Sequence, residues 1–208
     1  MLILNLGCGI NRRRLYQEPF PVGTLHLDHN PDVKPDLVWD LNNGIPDGHT
    51  AYDGPEDVTG RWVPFKNNVD EIHAYHLIEH IGEMGKTDIW FRFWKSCWEA
   101  LKPGGLMFAI APYYLHESAV GDPTHTRLIC KQTFHFLNRD SYKVKEGENG
   151  CAMSKLSIDF DLPRLDIRLQ RSHEEDEFPS TIIAVLQARK TKDGGLVCAE
   201  SKQMEAVS

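Results

Sequence analysis

The chain has 208 residues, 41% of them hydrophobic and 25% charged, which is enough for one well-buried α/β domain and too few for two. Its formal charge of −7 counts against a general affinity for nucleic acid or anionic membrane. Five cysteines without a Cys-x-x-Cys spacing read as reduced thiols, and no apolar stretch nears the ~20 residues that span a bilayer. Met1 opens almost directly into a strand without a leader, so the expectation is a cytoplasmic, soluble, single-domain protein.

The first predicted element is Leu2–Leu6, an apolar run of the kind a buried parallel strand requires, which breaks into Gly7-Cys8-Gly9. A Gly-x-Gly turn lets backbone amides approach a ligand that any Cβ would hold off. The basic cluster Arg12 to Arg14 after it reads as a solvated helix face rather than a phosphate clamp. Strand two, Thr24–Asp28, ends on an acidic residue, where a carboxylate can accept from two ribose hydroxyls. Only His29–Pro35 joins it to a short third strand, Asp36–Asp40, which is too little for a crossover helix. The stretch 42–68 is rich in Gly, Pro, Asn and Asp, and an insertion of that length is uncommon unless it is functional.

Strand four is Val69–Tyr75. The clearest helix runs over about Thr87–Leu101, with Ile89, Phe93, Trp94, Cys97 and Leu101 on one face. Lys102-Pro103-Gly104-Gly105 ends it and turns the chain into strand five, Leu106–Ala111. A second insertion, 112–149, follows, carrying His116, Asp122, His125 and Arg127 before a helical Lys131–Leu137. Arg164–Gln170 and Thr181–Ala188 read as strands that pair antiparallel at one side of the sheet, joined by an acidic loop over Ser172–Pro179. Residues 191–208 are polar, aperiodic and expected to be a disordered tail. The expected fold is therefore α/β: a Rossmann-like, mostly parallel sheet with a C-terminal antiparallel strand pair, helices on both faces and one crossover helix missing. The domain is expected to span 1–190, with 42–68 and 112–149 as insertions.

Taken in order, these segments resemble a class I S-adenosylmethionine (SAM)-dependent methyltransferase of the methyltransferase type 11-like kind. The resemblance covers roughly Met1 to Pro112. Asn5-Leu-Gly-Cys-Gly9 is similar to the first motif, Leu25–Asp28 to the second and Trp39-Asp40-Leu41 to the third. Ala74-Tyr-His-Leu-Ile-Glu-His80 is similar to the segment lining the methyl-donor pocket, which often reads Leu-Glu-His. Ala100-Leu-Lys-Pro-Gly-Gly105 leading into a strand is the most recognisable piece. Two departures stand out: Asn11 occupies the third glycine position, and Asn5 replaces the usual acidic residue.

The resemblance implies S-adenosyl-L-methionine as cofactor, bound along Asn5, Gly7, Cys8, Gly9, Asp28, Asp40, Leu41 and His76. Asp28 would meet the ribose hydroxyls, and Asp40 with the Leu41 amide the adenine edge. Tyr113, His116, Asp122 and Arg127 would form the acceptor side, with His125 as general base. Structural readings stand beside these: Asp122 pairing with Arg127 to brace the loop, Asp40 as a turn cap, and Trp39, Trp90, Trp94 and Trp98 as core. His73, His76 and His80 are spaced 3 and 4, but His73 sits in strand four, so they are not expected to converge and no metal site is expected. The expected activity is methyl transfer to an oxygen or nitrogen of a small-molecule or glycan-type acceptor. Two rivals are a SAM-binding protein without catalytic activity and an NAD-dependent dehydrogenase. The missing crossover helix and the Lys-Pro-Gly-Gly segment count against the dehydrogenase. A DNA amino-methyltransferase is disfavoured because Ala111-Pro112-Tyr113-Tyr114 stands where its Asn/Asp-Pro-Pro-Tyr/Phe signature would be.

Overall fold

The computed structural model describes residues 1–10, 12–14, 18–51, 60–141, 157–171 and 177–196. The chain runs through β1 (Ile3–Leu6), β2 (Leu25–Asp28), β3 (Leu37–Val38), β4 (Gly48–Ala51), β5 (Arg61–Pro64) and β6 (Val69–Tyr75). It continues through α1 (Asp88–Ala100), β7 (Leu101–Pro112), α2 (Glu117–Gly121), α3 (Lys131–His135), β8 (Phe160–Arg171) and β9 (Glu177–Ala188). Seven strands form one sheet in the order β3-β2-β1-β6-β7-β9-β8. The first five are mutually parallel. β9 runs antiparallel to both β7 and β8, the expected strand pair at the sheet edge.

Register decides which side chains make the core. Leu4 lies beside Ile72 and Leu6 beside Ala74, while Ile72 pairs with Met107 and Ala74 with Ala109. All six are fully buried on one face, and α1 lays Phe93, Trp94 and Cys97 into the same cluster. Trp94 meets Trp90, Phe93, Phe134 and Phe160 edge-on, an arrangement aromatic rings favour over face-to-face stacking. Burial of this kind contributes roughly 25 cal/mol per Å² of apolar surface. Asp88 opens α1, where a negative charge suits the helix dipole. At its far end the Lys190 ammonium donates to the carbonyls of Leu101 (2.6 Å) and Glu99 (3.3 Å).

The other sheet face is polar and aromatic. His73, 1% exposed, lies between the Glu71 carboxylate (2.9 Å) and the Tyr75 hydroxyl (2.6 Å) and stacks on Phe108. Burial pulls its pKa down to about 4 even though Glu71 acts the other way. Phe20 packs edge-on against His26 and His73. The β1–β2 connection has no helix among its described residues, which corrects the reading of Arg12–Arg14 as a helix face. Instead, Arg14 pairs with Glu71 at 2.7 Å, and Arg12 donates to the Val33 carbonyl at 2.9 Å and to that of Lys34.

Between β2 and β3 only a 3-10 turn, Pro31–Val33, is present, so the crossover helix is indeed missing there. The first insertion is not all loop: it holds a two-stranded antiparallel hairpin, β4–β5. Residues 52–59 lie outside the described residues. A Cβ at Gly48 would run into the Val63 carbonyl, so this pairing depends on glycine. The reading of 191–208 as a disordered tail is corrected for 191–196: Thr191 and Gly195 exchange hydrogen bonds, and Lys190 bridges to Leu196. The rest of the tail, and residues 172–176 of the acidic loop, lie outside the described residues. No helix among the described residues is long and apolar enough to cross a membrane.

Candidate functional site

Strands β1, β2 and β6 all deliver the chain to the same edge of the sheet. β1 ends at Leu6, and Gly7 takes φ +59, a left-handed conformation that L side chains rarely adopt. A Cβ on Gly7 would also stand 2.8 Å from Leu77 Cδ1. The turn is then tied to β2: the Cys8 amide donates to the Leu27 carbonyl (3.1 Å), and the Gly9 amide to Asp28 Oδ2 (2.9 Å). Asp28 Oδ1 accepts from the Asn30 amide at 2.9 Å. One carboxylate, 7% exposed, therefore sets both its own turn and the glycine turn.

β3 leads to Trp39, whose amide donates to the Asp28 carbonyl. Asp40 caps the 3-10 turn Leu41–Asn43 by accepting from the Asn42 amide at 2.9 Å. Asn42 Oδ1 in turn accepts from the Gly82 amide, fastening this turn to the segment after β6. At the end of β6, His76 takes φ +51 and breaks the strand. An open cavity of about 780 Å³ lies between these elements, walled by Gly7, Asp28, Trp39, Asp40, Leu41 and His76.

A second cavity of about 670 Å³ adjoins it and shares His76 and His80. Glu79, Pro112, Asp122 and His125 complete the walls that carry chemistry. The loop bearing Asp122 and His125 is laced to the turn after β6. The Thr126 amide donates to the Glu79 carbonyl (2.9 Å) and its hydroxyl to that of Ile81 (2.9 Å). Asp122 accepts from the Thr124 amide and hydroxyl, which hold its carboxyl below the usual range. His125 Nδ1 donates to the Ala119 carbonyl at 3.1 Å, leaving Nε2 with a free lone pair.

The structure thus brings Gly7, Asp28, Asp40, Leu41 and His76 to one cavity, and Asp122 and His125 to the next. Five other candidates do not line either cavity, and a sixth supports one from behind. Asn5 is buried on the opposite face, where its side chain meets His26 Nδ1 at 3.0 Å. Cys8 is buried behind the turn, and burial together with the Asp28 charge pushes its thiol up. Gly9 contributes through its amide to Asp28. Tyr113 packs into the core, and burial raises its hydroxyl pKa. His116 caps α2 by accepting from the Ser118 amide. Arg127 stacks on Trp90 at 4.5 Å and donates to the Lys86 carbonyl, so it neither reaches the cavity nor pairs with Asp122. Asn11 lies outside the described residues.

His73 stands apart from His80, as its place in strand four implies, and the imidazole beside His80 comes from the second insertion instead. His73 is buried on the far face, whereas His80 and His125 have ring centroids 4.6 Å apart. Glu79 is 1% exposed, with both carboxylate oxygens lacking a hydrogen-bond partner. The signal that could have raised its rank was the Leu-Ile-Glu-His run itself, an acidic residue in an apolar turn.

The sequence matches no family profile and no curated protein. The structure is similar to solved ones. A SAM-dependent methyltransferase from Archaeoglobus fulgidus superposes with a TM-score of 0.50 at 14% identity, over 89% of this chain and 85% of that one. An S-adenosylmethionine-dependent methyltransferase from Listeria monocytogenes gives 0.50 at 12% identity, over 91% of each chain. A chain of the complex between the Haloferax volcanii Trm112 methyltransferase activator and a methyltransferase gives 0.52 at 13%, over 91% of this chain and 82% of that one. At these identities the likeness is one of fold: the chain has the class I SAM-dependent methyltransferase fold.

Proposed function

We propose that this protein is a SAM-dependent methyltransferase that moves a methyl group to an oxygen or nitrogen of a small-molecule or glycan-type acceptor. The observation that carries the reading is Asp28, a carboxylate locked by the Gly9 and Asn30 amides at the mouth of a cavity of about 780 Å³. Each of its oxygens keeps a lone pair for a ribose hydroxyl. The cavity lies in the range that holds a nucleoside-sized ligand, at the strand ends where open α/β sheets bind.

SAM bound there supplies an activated methyl group. Asp28 would accept from the ribose hydroxyls, Asp40 and the Leu41 amide would meet the adenine edge, and Gly7 would admit the methionine portion close to the backbone. The acceptor would enter the second cavity, and its oxygen or nitrogen would bond to the methyl carbon as the carbon–sulfur bond breaks. The chain's main contribution is alignment of donor and acceptor at about 3–3.5 Å. His125 Nε2, free because Nδ1 is held by Ala119, receives the proton that the acceptor sheds. The formal charge of −7 disfavours an acceptor on a nucleic acid backbone.

Thermal unfolding with SAM, S-adenosylhomocysteine and NAD in parallel tests this. Ligand at about a hundred times its dissociation constant adds ~2.7 kcal/mol, roughly 5–10 °C for a domain this size. A shift with SAM and its demethylated product but not NAD supports the reading. No shift with either overturns it, and a shift with NAD alone replaces it with a dehydrogenase.

A further inference from the structure

We propose that Glu79, His80 and His125 bind a divalent transition-metal ion at the border of the two cavities. One ligand-capable atom from each residue lies within 4.8 Å of the others. A tetrahedral site with bonds of about 2.1 Å needs ligand atoms roughly 3.4 Å apart. Side-chain rotations of about an ångström close the gap.

Three observations point to a cation rather than to a packing arrangement. First, Glu79 is a carboxylate taken out of water with nothing to accept from. Both oxygens are buried and unpartnered, and the nearest cationic candidate, His76 Nδ1, stays 3.6 Å away. A buried carboxylate in that state is costly unless a positive charge compensates it. Second, both imidazoles are held in the way metal-ligating histidines are held. His80 Nδ1 meets the Thr124 carbonyl at 3.3 Å and hydroxyl at 3.1 Å; His125 Nδ1 donates to the Ala119 carbonyl at 3.1 Å. A backbone carbonyl only accepts, so each ring carries its proton on Nδ1 and presents a lone pair on Nε2. Third, the loop that brings His125 to the pair is fixed from both sides. Thr126 is bonded to the carbonyls of Glu79 and Ile81, and Thr124 to Asp122.

Asp122 Oδ2, 3.8 Å from His125 Nε2, is within reach as a further ligand or as a partner for bound water. Two imidazoles and a carboxylate favour Zn²⁺, Mn²⁺ or Fe²⁺ over Mg²⁺ or Ca²⁺, which prefer all-oxygen sets. The open cavity leaves coordination positions for an acceptor hydroxyl, whose pKa the ion would lower. With the ion bound, His125 is a ligand rather than the proton acceptor, and the proton leaves to solvent. That role in catalysis rests on the methyl-transfer reading; the existence of the site does not.

The test is calorimetric titration of chelator-stripped full-length protein with Zn²⁺, and separately Mn²⁺, in wild type, Glu79→Gln and His125→Ala. One saturable equivalent is expected in wild type, with each substitution weakening binding at least tenfold. Glu79→Gln replaces an unpartnered buried charge with a neutral amide. Its metal-free form is expected to unfold at or above the wild-type temperature, which separates ligand loss from misfolding. No saturable binding in wild type, or equal binding in both variants, overturns the proposal. The same samples are titrated with S-adenosylhomocysteine. Cofactor binding without metal binding removes the metal site alone, and Glu79-dependent metal binding without cofactor binding removes the methyl-transfer reading alone.

Discussion

Replacing Asp28 by Asn separates cofactor binding from loop bracing. Asp28 accepts from the Gly9 amide through Oδ2 and from the Asn30 amide through Oδ1, each at 2.9 Å. An Asn side chain has one acceptor oxygen and one NH₂, so whichever way it turns, its NH₂ faces a backbone N–H. One charge-assisted hydrogen bond is lost, which costs roughly 1.5–3 kcal/mol. At 2–4 °C per kcal/mol for a chain of this size, the unfolding temperature falls by about 3–12 °C. The ribose hydroxyls then meet a neutral amide instead of a carboxylate, a further ~1.5–3 kcal/mol, or roughly 10- to 150-fold in the Kd for S-adenosylhomocysteine. Calorimetric titration beside thermal unfolding reads the two quantities separately. If the unfolding temperature drops as calculated while Kd stays within threefold of wild type, Asp28 is only a brace and the ribose assignment is wrong.

Gly7→Ala and Gly9→Ala form a contrasting pair. Both place a side chain at positive φ, costing about 1–2 kcal/mol, but only at Gly7 does the new Cβ meet Leu77, at 2.8 Å. Gly7→Ala is therefore expected to weaken S-adenosylhomocysteine more than tenfold and Gly9→Ala much less; equal losses would show that the Leu77 contact is irrelevant. His73 carries an acid limb of stability. Its pKa is about 4 in the fold and 6.5 in the unfolded chain, so as pH falls below 6.5 the unfolded state takes up a proton that the native state refuses. Between pH 7 and pH 5 that removes about 2 kcal/mol, readable by urea unfolding, and His73→Gln should flatten the slope between those pH values. Lys190→Met leaves the Leu101 and Glu99 carbonyls and Asn67 Oδ1 without their donor. A loss of about 2–4 kcal/mol in urea unfolding is expected, and a loss below 0.5 kcal/mol would show that water replaces the ammonium there.

What could be read from the sequence and what could not divide along a physical line. β1, β6, β7 and α1 were legible because burial on both sides of a parallel strand, or along one helix face, forces a pattern that a local window can see. The β4–β5 hairpin was not. His49-Thr50-Ala51 and Arg61-Trp62-Val63-Pro64 do not alternate, and their pairing requires a close approach at Gly48 that no other residue permits. Asn5 is an instructive miss. Leu4 and Leu6 face the α1 side, so a period of two sends Asn5 to the other face, toward His26. Strand parity alone places it away from the cavity walled by Gly7 and Asp28. The histidines show the opposite limit. A spacing of 3 and 4 aligns His73, His76 and His80 only if one helix spans them, and the chain instead leaves β6 at Tyr75 and turns at His76 with positive φ. The imidazole that meets His80 comes from His125, beyond α1, β7 and α2, and arrives because Thr126 bonds to the Glu79 and Ile81 carbonyls and the Thr124 carbonyl meets the His80 ring. No local window contains that contact. The first cavity is built from turns that each follow their own strand, so its residues announce themselves one motif at a time. The second cavity is built by docking one loop on another, so its chemistry exists only once the chain has folded.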